Sequence, residues 1–190
     1  MGFVYTIFDI WSGNNAIVNC KEYCAALTMG GNYTFLQTTF ANYFNQDGGR
    51  GGQPCVHVDN FDGTDSWPFI DSLFFGNCII DGSQSGELEM DIRPNTINPT
   101  PVCKVTNCLI KGSIPTNTLI VNTNNVFNGN ADFANPSTYD FKINGGSAAK
   151  ILADYSLISP AYLSILDKDI TGTVVRPGTG ATSSGAYQFP

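Results

Sequence analysis

The chain has 190 residues, with 16 acidic and 9 basic side chains, one histidine and a formal net charge of −7. Only 13% of it is charged, well below the ~25% of an ordinary soluble domain, yet 42% is hydrophobic, which excludes a disordered chain. The few cations form no cluster, which argues against a nucleic-acid partner, and no apolar run approaches the ~20 residues of a membrane-spanning helix.

The start, MGFVYTIFDIW, has no cationic leader and enters strand-like sequence at once. It reads as a piece of a longer protein, so the missing export signal says little about location. Short apolar runs then recur at 16–23 (AIVNCKEY), 33–49, 68–83, 102–113 and 117–130. Each is rich in β-branched or aromatic residues and ends in Asn or Gly turn chemistry. Asn19, Asn42, Asn77 and Asn107 index the runs, at spacings of 23, 35 and 30 residues. Phe35, Phe40, Phe74 and Phe75 are assigned to internal stacks. Helical periodicity is confined to 147–166, where Pro160 predicts short pieces.

Two stretches repeat almost exactly: NCIIDG at 77–82 and NCLIKG at 107–112. Asp81 and Lys111 share one place in the repeat, which suits an outward turn position and not a chemical role. Asn77 and Asn107 read as stacked corners, with residue n above residue n+30 at an inter-strand spacing of about 4.8 Å. The six cysteines (20, 24, 55, 78, 103 and 108) show no paired zinc-type spacing. The plainer reading is free thiols packed as small hydrophobes. Cys20–Cys24 and Cys103–Cys108 are the nearest candidates for bridges.

Candidate chemistry is sparse. His57 in CVHVD has Asp59 two residues on, hence on the same strand face. DNFDGTD sets Asp59, Asp62 and Asp65 three apart on a glycine-containing loop, the kind of oxygen-ligand set calcium takes; an exposed acidic turn is the plainer alternative. Asp71, Asp81, Glu87, Glu89 and Asp91 add carboxylates, but no spacing selects a glycosidase pair. GELEMD at 86–91 alternates as a half-exposed strand. In the tail, Asp167, Asp169 and Arg176 read as structural, an Arg bridging carboxylates to pin the terminal segment. Tyr5, Tyr33, Tyr43, Trp11 and Trp67 would supply sugar-stacking surface where exposed.

Short strands at a drifting period with Asn-rich corners predict an all-β parallel solenoid. The closing residues carry a resemblance: Asn135-Pro136, Tyr139-Asp140-Phe141, Gly146-Ser147-Ala148-Ala149, Asp167-Lys168-Asp169, Gly172, Arg176 and Gly185-Ala186-Tyr187. They resemble the end of right-handed parallel β-helix repeat proteins of the pectate-lyase-like superfamily, particularly secreted bacterial surface members. Lys150 departs from that pattern, as does the insertion at 152–166. The resemblance implies a right-handed parallel β-helix fragment of about five coils over 1–143, and a closing segment, 144–190, packed on the last coil. It further implies an extracellular or cell-surface, non-catalytic module, carbohydrate-associated or adhesin-like, with a polysaccharide or cell-surface glycan as partner, joined to preceding coils of a longer chain. The alternative it implies is the C-terminal part of a polysaccharide lyase or glycoside hydrolase acting on a uronic-acid polymer. No cofactor is expected beyond calcium at the acidic loop, and no catalytic residue can be singled out.

Overall fold

A computed structural model describes residues 9–28, 30–46, 49–62, 65–66, 72–94, 102–177 and 182–190; for Asp62, Asp65, Ser66 and Val102 it describes the backbone alone. The fold is all-β and mostly parallel, with one α-helix of a single turn among the described residues.

The chain makes repeated circuits. The first lays down β1 (Asp9–Gly13), β2 (Ala16–Val18) and β3 (Ala25–Leu27), and the second β4 (Asn32–Leu36), β5 (Thr39–Asn42) and β6 (Val56–Asp59). After a small hairpin, β7 (Phe61–Asp62) and β8 (Asp65–Ser66), the third gives β9 (Ser72–Gly76), β10 (Ile79–Gly82) and β11 (Leu88–Asp91). The fourth and fifth give β12 (Val102–Thr106) with β13 (Leu109–Ile110), then β14 (Ile120–Thr123) with β15 (Val126–Phe127). Like strands pair in parallel: β1-β4-β9-β12-β14, β2-β5-β10-β13-β15 and β3-β6-β11. An antiparallel pair, β16 (Phe133–Asn135) and β17 (Asp140–Ile143), follows. The repeated hexapeptide falls in the expected register, Ile79 on Leu109 and Ile80 on Ile110.

Inward side chains from the three sheets form one core, which includes Tyr33, Phe35, Phe40, Leu73, Phe75, Ile80, Val105, Ile110, Val58 and Met90. Burying such side chains contributes about 1.5–3 kcal/mol each. Phe35 stacks on Phe75 at 5.4 Å, and Phe40 meets both rings edge-on. Phe74, expected inside, is on the opposite strand phase and faces outward with Leu36, Ile158 and Leu166. Successive side chains on a strand alternate faces, so Phe74 and Phe75 cannot share the core.

The corner after the first sheet is a column of Asn14, Gln37, Asn77, Asn107 and Asn124, all with φ between 50° and 59°. Asparagine tolerates this left-handed backbone better than most residues. Asn124 Nδ2 donates to Asn107 Oδ1 at 2.5 Å, so the column bonds along its own length there. The indexing by Asn19 and Asn42 is corrected by the register: they align with each other at the far end of β2 and β5, and Asn42 lies inside its strand. Both runs end in Asn, but at different corners. Asp81 is also corrected: it is nearly buried, with Lys111 Nζ 3.9 Å away on the next circuit.

The described residues from 131 on lie outside the circuits. β16 and β17 cover the outward side of the second sheet, where Phe133, Phe141, Ile143 and Ala149 pack with Ala41, Ile79 and Leu109. The 147–166 region holds 3₁₀ turns at Tyr155–Leu157 and Pro160–Tyr162 and α1 (Leu163–Leu166). The final segment runs lengthwise along the corner column instead of across the last circuit. Ser184 Oγ donates to Asn107 O (2.7 Å), Gly185 N to Asn77 O (2.8 Å) and Ala186 N to Thr39 Oγ1 (3.0 Å). With its amide oriented to satisfy both contacts, Gln37 donates to Ser183 O and Gly185 O at 3.0 and 3.1 Å. Gly185 has φ +89°, and a Cβ there would sit 2.7 Å from Ile79 and Thr39, so the crossing requires glycine.

Asn77 bonds reciprocally to the backbone of Asp154, donating to its O and accepting from its N, both at 2.9 Å. Asn77→Gly should keep the corner but lose these bonds, and Asn77→Ala should in addition strain it. Expected losses in urea unfolding are about 1–2 kcal/mol for glycine and about 1–2 kcal/mol more for alanine. Equal losses would show that φ is irrelevant here.

Candidate functional site

The polar side chains gather on the outward face of β3, β6 and β11. Alternation along β6 (Val56 and Val58 in, His57 and Asp59 out) and along β11 (Leu88 and Met90 in, Glu89 and Asp91 out) puts four titratable groups on one surface. The parallel register sets His57 beside Glu89 and Asp59 beside Asp91. His57 Nε2 lies 2.9 Å from Asp59 Oδ2, and Nδ1 lies 2.9 Å from Glu89 Oε2. Burial disfavours the imidazolium, but bonds to Asp59 and then Glu89 outweigh it and raise the His57 pKa above its usual 6.5.

Around this centre, the Tyr23 ring lies 5.6 Å from the His57 ring and its hydroxyl donates to Gln53 Oε1. Arg93 sits 3.3 Å over the Phe61 ring and donates to Asp91 at 3.2 Å. A groove of about 590 Å³ runs alongside, lined among others by Gln53, Leu88, Glu89, Asp91, Ser113 and Pro115.

A raised folded-state pKa means His57 contributes stability fully below pH 6.5, and that contribution fades as pH rises through the folded value. The stability difference between wild type and His57→Gln should therefore be largest in mild acid and vanish at alkaline pH. Urea midpoints across pH 5–9 measure it; a difference independent of pH would show that the imidazolium pairs are inert.

The other expected site residues separate. Asp59 is committed to His57, while the side chains of Asp62 and Asp65 lie outside the described residues, as do Asp71, Trp67 and Tyr5. Among the described residues no group of three or more His, Cys, Asp or Glu side chains is placed to hold a metal ion. Glu87 leaves the exposed face altogether: it is buried and paired with Arg50 at 2.7 Å. The Arg50 side chain is only 1% exposed.

The tail set is corrected in detail. Arg176 makes no ion pair with a described carboxylate within 4 Å; it binds carbonyls of the final segment and Asn14 Oδ1. Asp169 is buried and accepts from Thr171 N, Thr171 Oγ1 and Gln188 N, while Asp167 accepts from Arg176 N through its backbone oxygen. Sequence reasoning missed Glu89, Asp91 and Tyr23 as neighbours of His57. The period-two alternation in GELEMD held part of that signal, but its register against β6 did not appear in it.

Compared with family models, curated proteins and solved structures, the chain matches none.

Proposed function

We propose that the chain is a stretch of right-handed parallel β-helix of the pectate-lyase-like kind, and that the outward face of β3, β6 and β11 binds a polysaccharide. The role proposed is a non-catalytic, extracellular or cell-surface module. The carrying observation is the groove of about 590 Å³ lined by Gln53, Glu89 and Asp91, with Tyr23 bonded to Gln53 and His57 to Glu89. A groove with convergent polar groups, and with the Tyr23 ring bonded to one of its lining residues, suits a chain of hydroxyl-bearing rings. On this reading 144–190 acts as the closing segment, clasping the coils from the side. The β1–β2–β3 edge, where Ile10 is 43% exposed in the Tyr33 column, takes preceding coils of a longer chain.

The charge of the face bears on the ligand. Asp59, Glu89 and Asp91 outnumber His57 and Arg93, so a neutral glycan docks without penalty. A uronic-acid polymer needs a counter-cation there, which gives calcium at the Asp59–Asp65 hairpin a role in that case. Titration calorimetry against neutral and uronic polysaccharides, with and without calcium, tests the proposal. Binding to a neutral polymer is expected, with Tyr23→Ala weakening it about tenfold. No binding to any polymer would overturn it.

One observation favours a second reading, a lyase or glycoside hydrolase. His57 is held between two carboxylates on a strand beside a groove, which is how an acid–base group is oriented. New reducing ends or unsaturated products, abolished by His57→Ala, would establish that reading in place of the first.

A further inference from the structure

Three thiols lie together where the second and third strands of a circuit are joined. Cys24 and Cys55 immediately precede β3 and β6, and the register Ala25 on Val56 places them side by side on consecutive circuits. Cys24 N donates to Cys55 O at 2.7 Å, and in-register parallel neighbours have Cα atoms about 4.8 Å apart, inside the range a disulfide spans. The Cys55 and Cys20 side chains both lie close enough to Cys24 to bear on its ionisation, and the Cys20 thiol donates to Val18 O at 3.8 Å in the same loop. Cys24 is half-buried and reachable from solvent, whereas Cys55 is sealed in the core.

A second stacked pair provides the contrast. Cys78 and Cys108 also occupy consecutive circuits, with Cys78 N donating to Cys108 Sγ at 3.3 Å. Both are fully buried, and each thiol donates to backbone carbonyls, of Phe35 and Gly76 for one, Phe75 and Thr106 for the other. No reagent reaches them in the folded protein. Between the two pairs the stacking is alike and access differs.

We propose that Cys24 and Cys55 form a redox-modifiable pair, closed to an inter-circuit disulfide by low-molecular-weight disulfides. The Cys24 thiolate attacks one sulfur of the small disulfide; that S–S bond breaks and one small thiolate leaves. Cys55 then gives its proton to solvent and attacks Cys24 Sγ in the mixed disulfide, expelling the second small thiolate. Two protein thiols and one small disulfide become one protein disulfide and two small thiols, so no further oxidant is needed. The Cys24 thiol is set for the first step: the Cys55 hydrogen bond lowers its pKa, against burial, and the Arg50 guanidinium adds to the lowering. The bond would join the first circuit to the second at the edge of the proposed glycan-binding face.

Incubating the folded protein with oxidised glutathione, then alkylating it under denaturing conditions and peptide mapping without reduction, tests the pair. The expected product is a Cys24–Cys55 cross-linked peptide with Cys78, Cys103 and Cys108 recovered as thiols. Cys20→Ser should leave the cross-link unchanged, and Cys55→Ser should trap glutathione on Cys24. A Cys20–Cys24 bond, a wild-type glutathione adduct that persists at Cys24, or six alkylatable thiols would each overturn the assignment. The wild-type map decides on its own if Cys55→Ser does not fold.

Discussion

Replacing Arg176 by alanine should cost about 3–5 kcal/mol of unfolding free energy. The side chain is 2% exposed, and its Nη2 donates to Asn14 Oδ1 (3.0 Å), Gly185 O (3.0 Å) and Ala186 O (2.7 Å), with Nη1 reaching Ser183 O at 3.4 Å. One guanidinium thus joins the first circuit, at Asn14, to the final segment. Removing it strands several buried acceptors at once, each worth roughly 1–3 kcal/mol unmade. Burial lowers the Arg176 pKa to about 10, with Asp169 offsetting part of the shift, so the group is still charged at neutral pH. Arg176→Lys should rescue under half of the loss, because an ammonium cannot present the planar fork that these carbonyls meet. Urea unfolding measures both variants, and limited proteolysis of 182–190 should accelerate in parallel. A loss under about 1 kcal/mol for alanine would show that the clasp does not depend on Arg176.

The second large effect belongs to Glu87. Its carboxylate accepts from Arg50 Nη1 and Nη2 at 2.7 and 2.9 Å, from Cys55 N at 2.8 Å and from Gln84 N at 2.7 Å. Arg50 also donates to Asn42 O and Gln53 O, while its Nε has no partner among the described residues. The pair ties the loop after β5 to the residue just before β11. Glu87→Ala leaves a buried, unpaired guanidinium and should cost about 3–5 kcal/mol. The double variant Arg50→Met/Glu87→Leu removes both charges and should recover most of that loss, since a buried ion pair's desolvation cost offsets much of its attraction. Chemical denaturation of the two variants side by side is the measurement. A double variant as unstable as Glu87→Ala would point to the backbone bonds from Cys55 and Gln84, not the ion pair, as the stabilising contacts.

The strands and their register were readable because they are local and repeated. NCIIDG and NCLIKG carry the same apolar phase and the same corner asparagine, so a thirty-residue register followed from the hexapeptide alone, and Ile80 does sit beside Ile110. The alternation of Leu88, Glu89, Met90 and Asp91 likewise gave the correct outward pair. Other corners were misassigned where the asparagine sits at the wrong end of a run: Asn42 has the asparagine and the trailing turn of a corner, yet the true member of its circuit is a glutamine, Gln37, at φ 50°.

What sequence alone determined was therefore the all-β character, the apolar phase of the best-matched rungs and the low-charge, turn-rich composition. Each of these is set by neighbours within a few residues. Only the tertiary structure decided that Glu87 is inside, that Arg176 binds carbonyls, that His57 lies between Asp59 and Glu89, and that Cys24 stacks on Cys55. Those pairings depend on how many residues each circuit inserts between strands, and inserted loops carry no periodic signal from which the register could be counted.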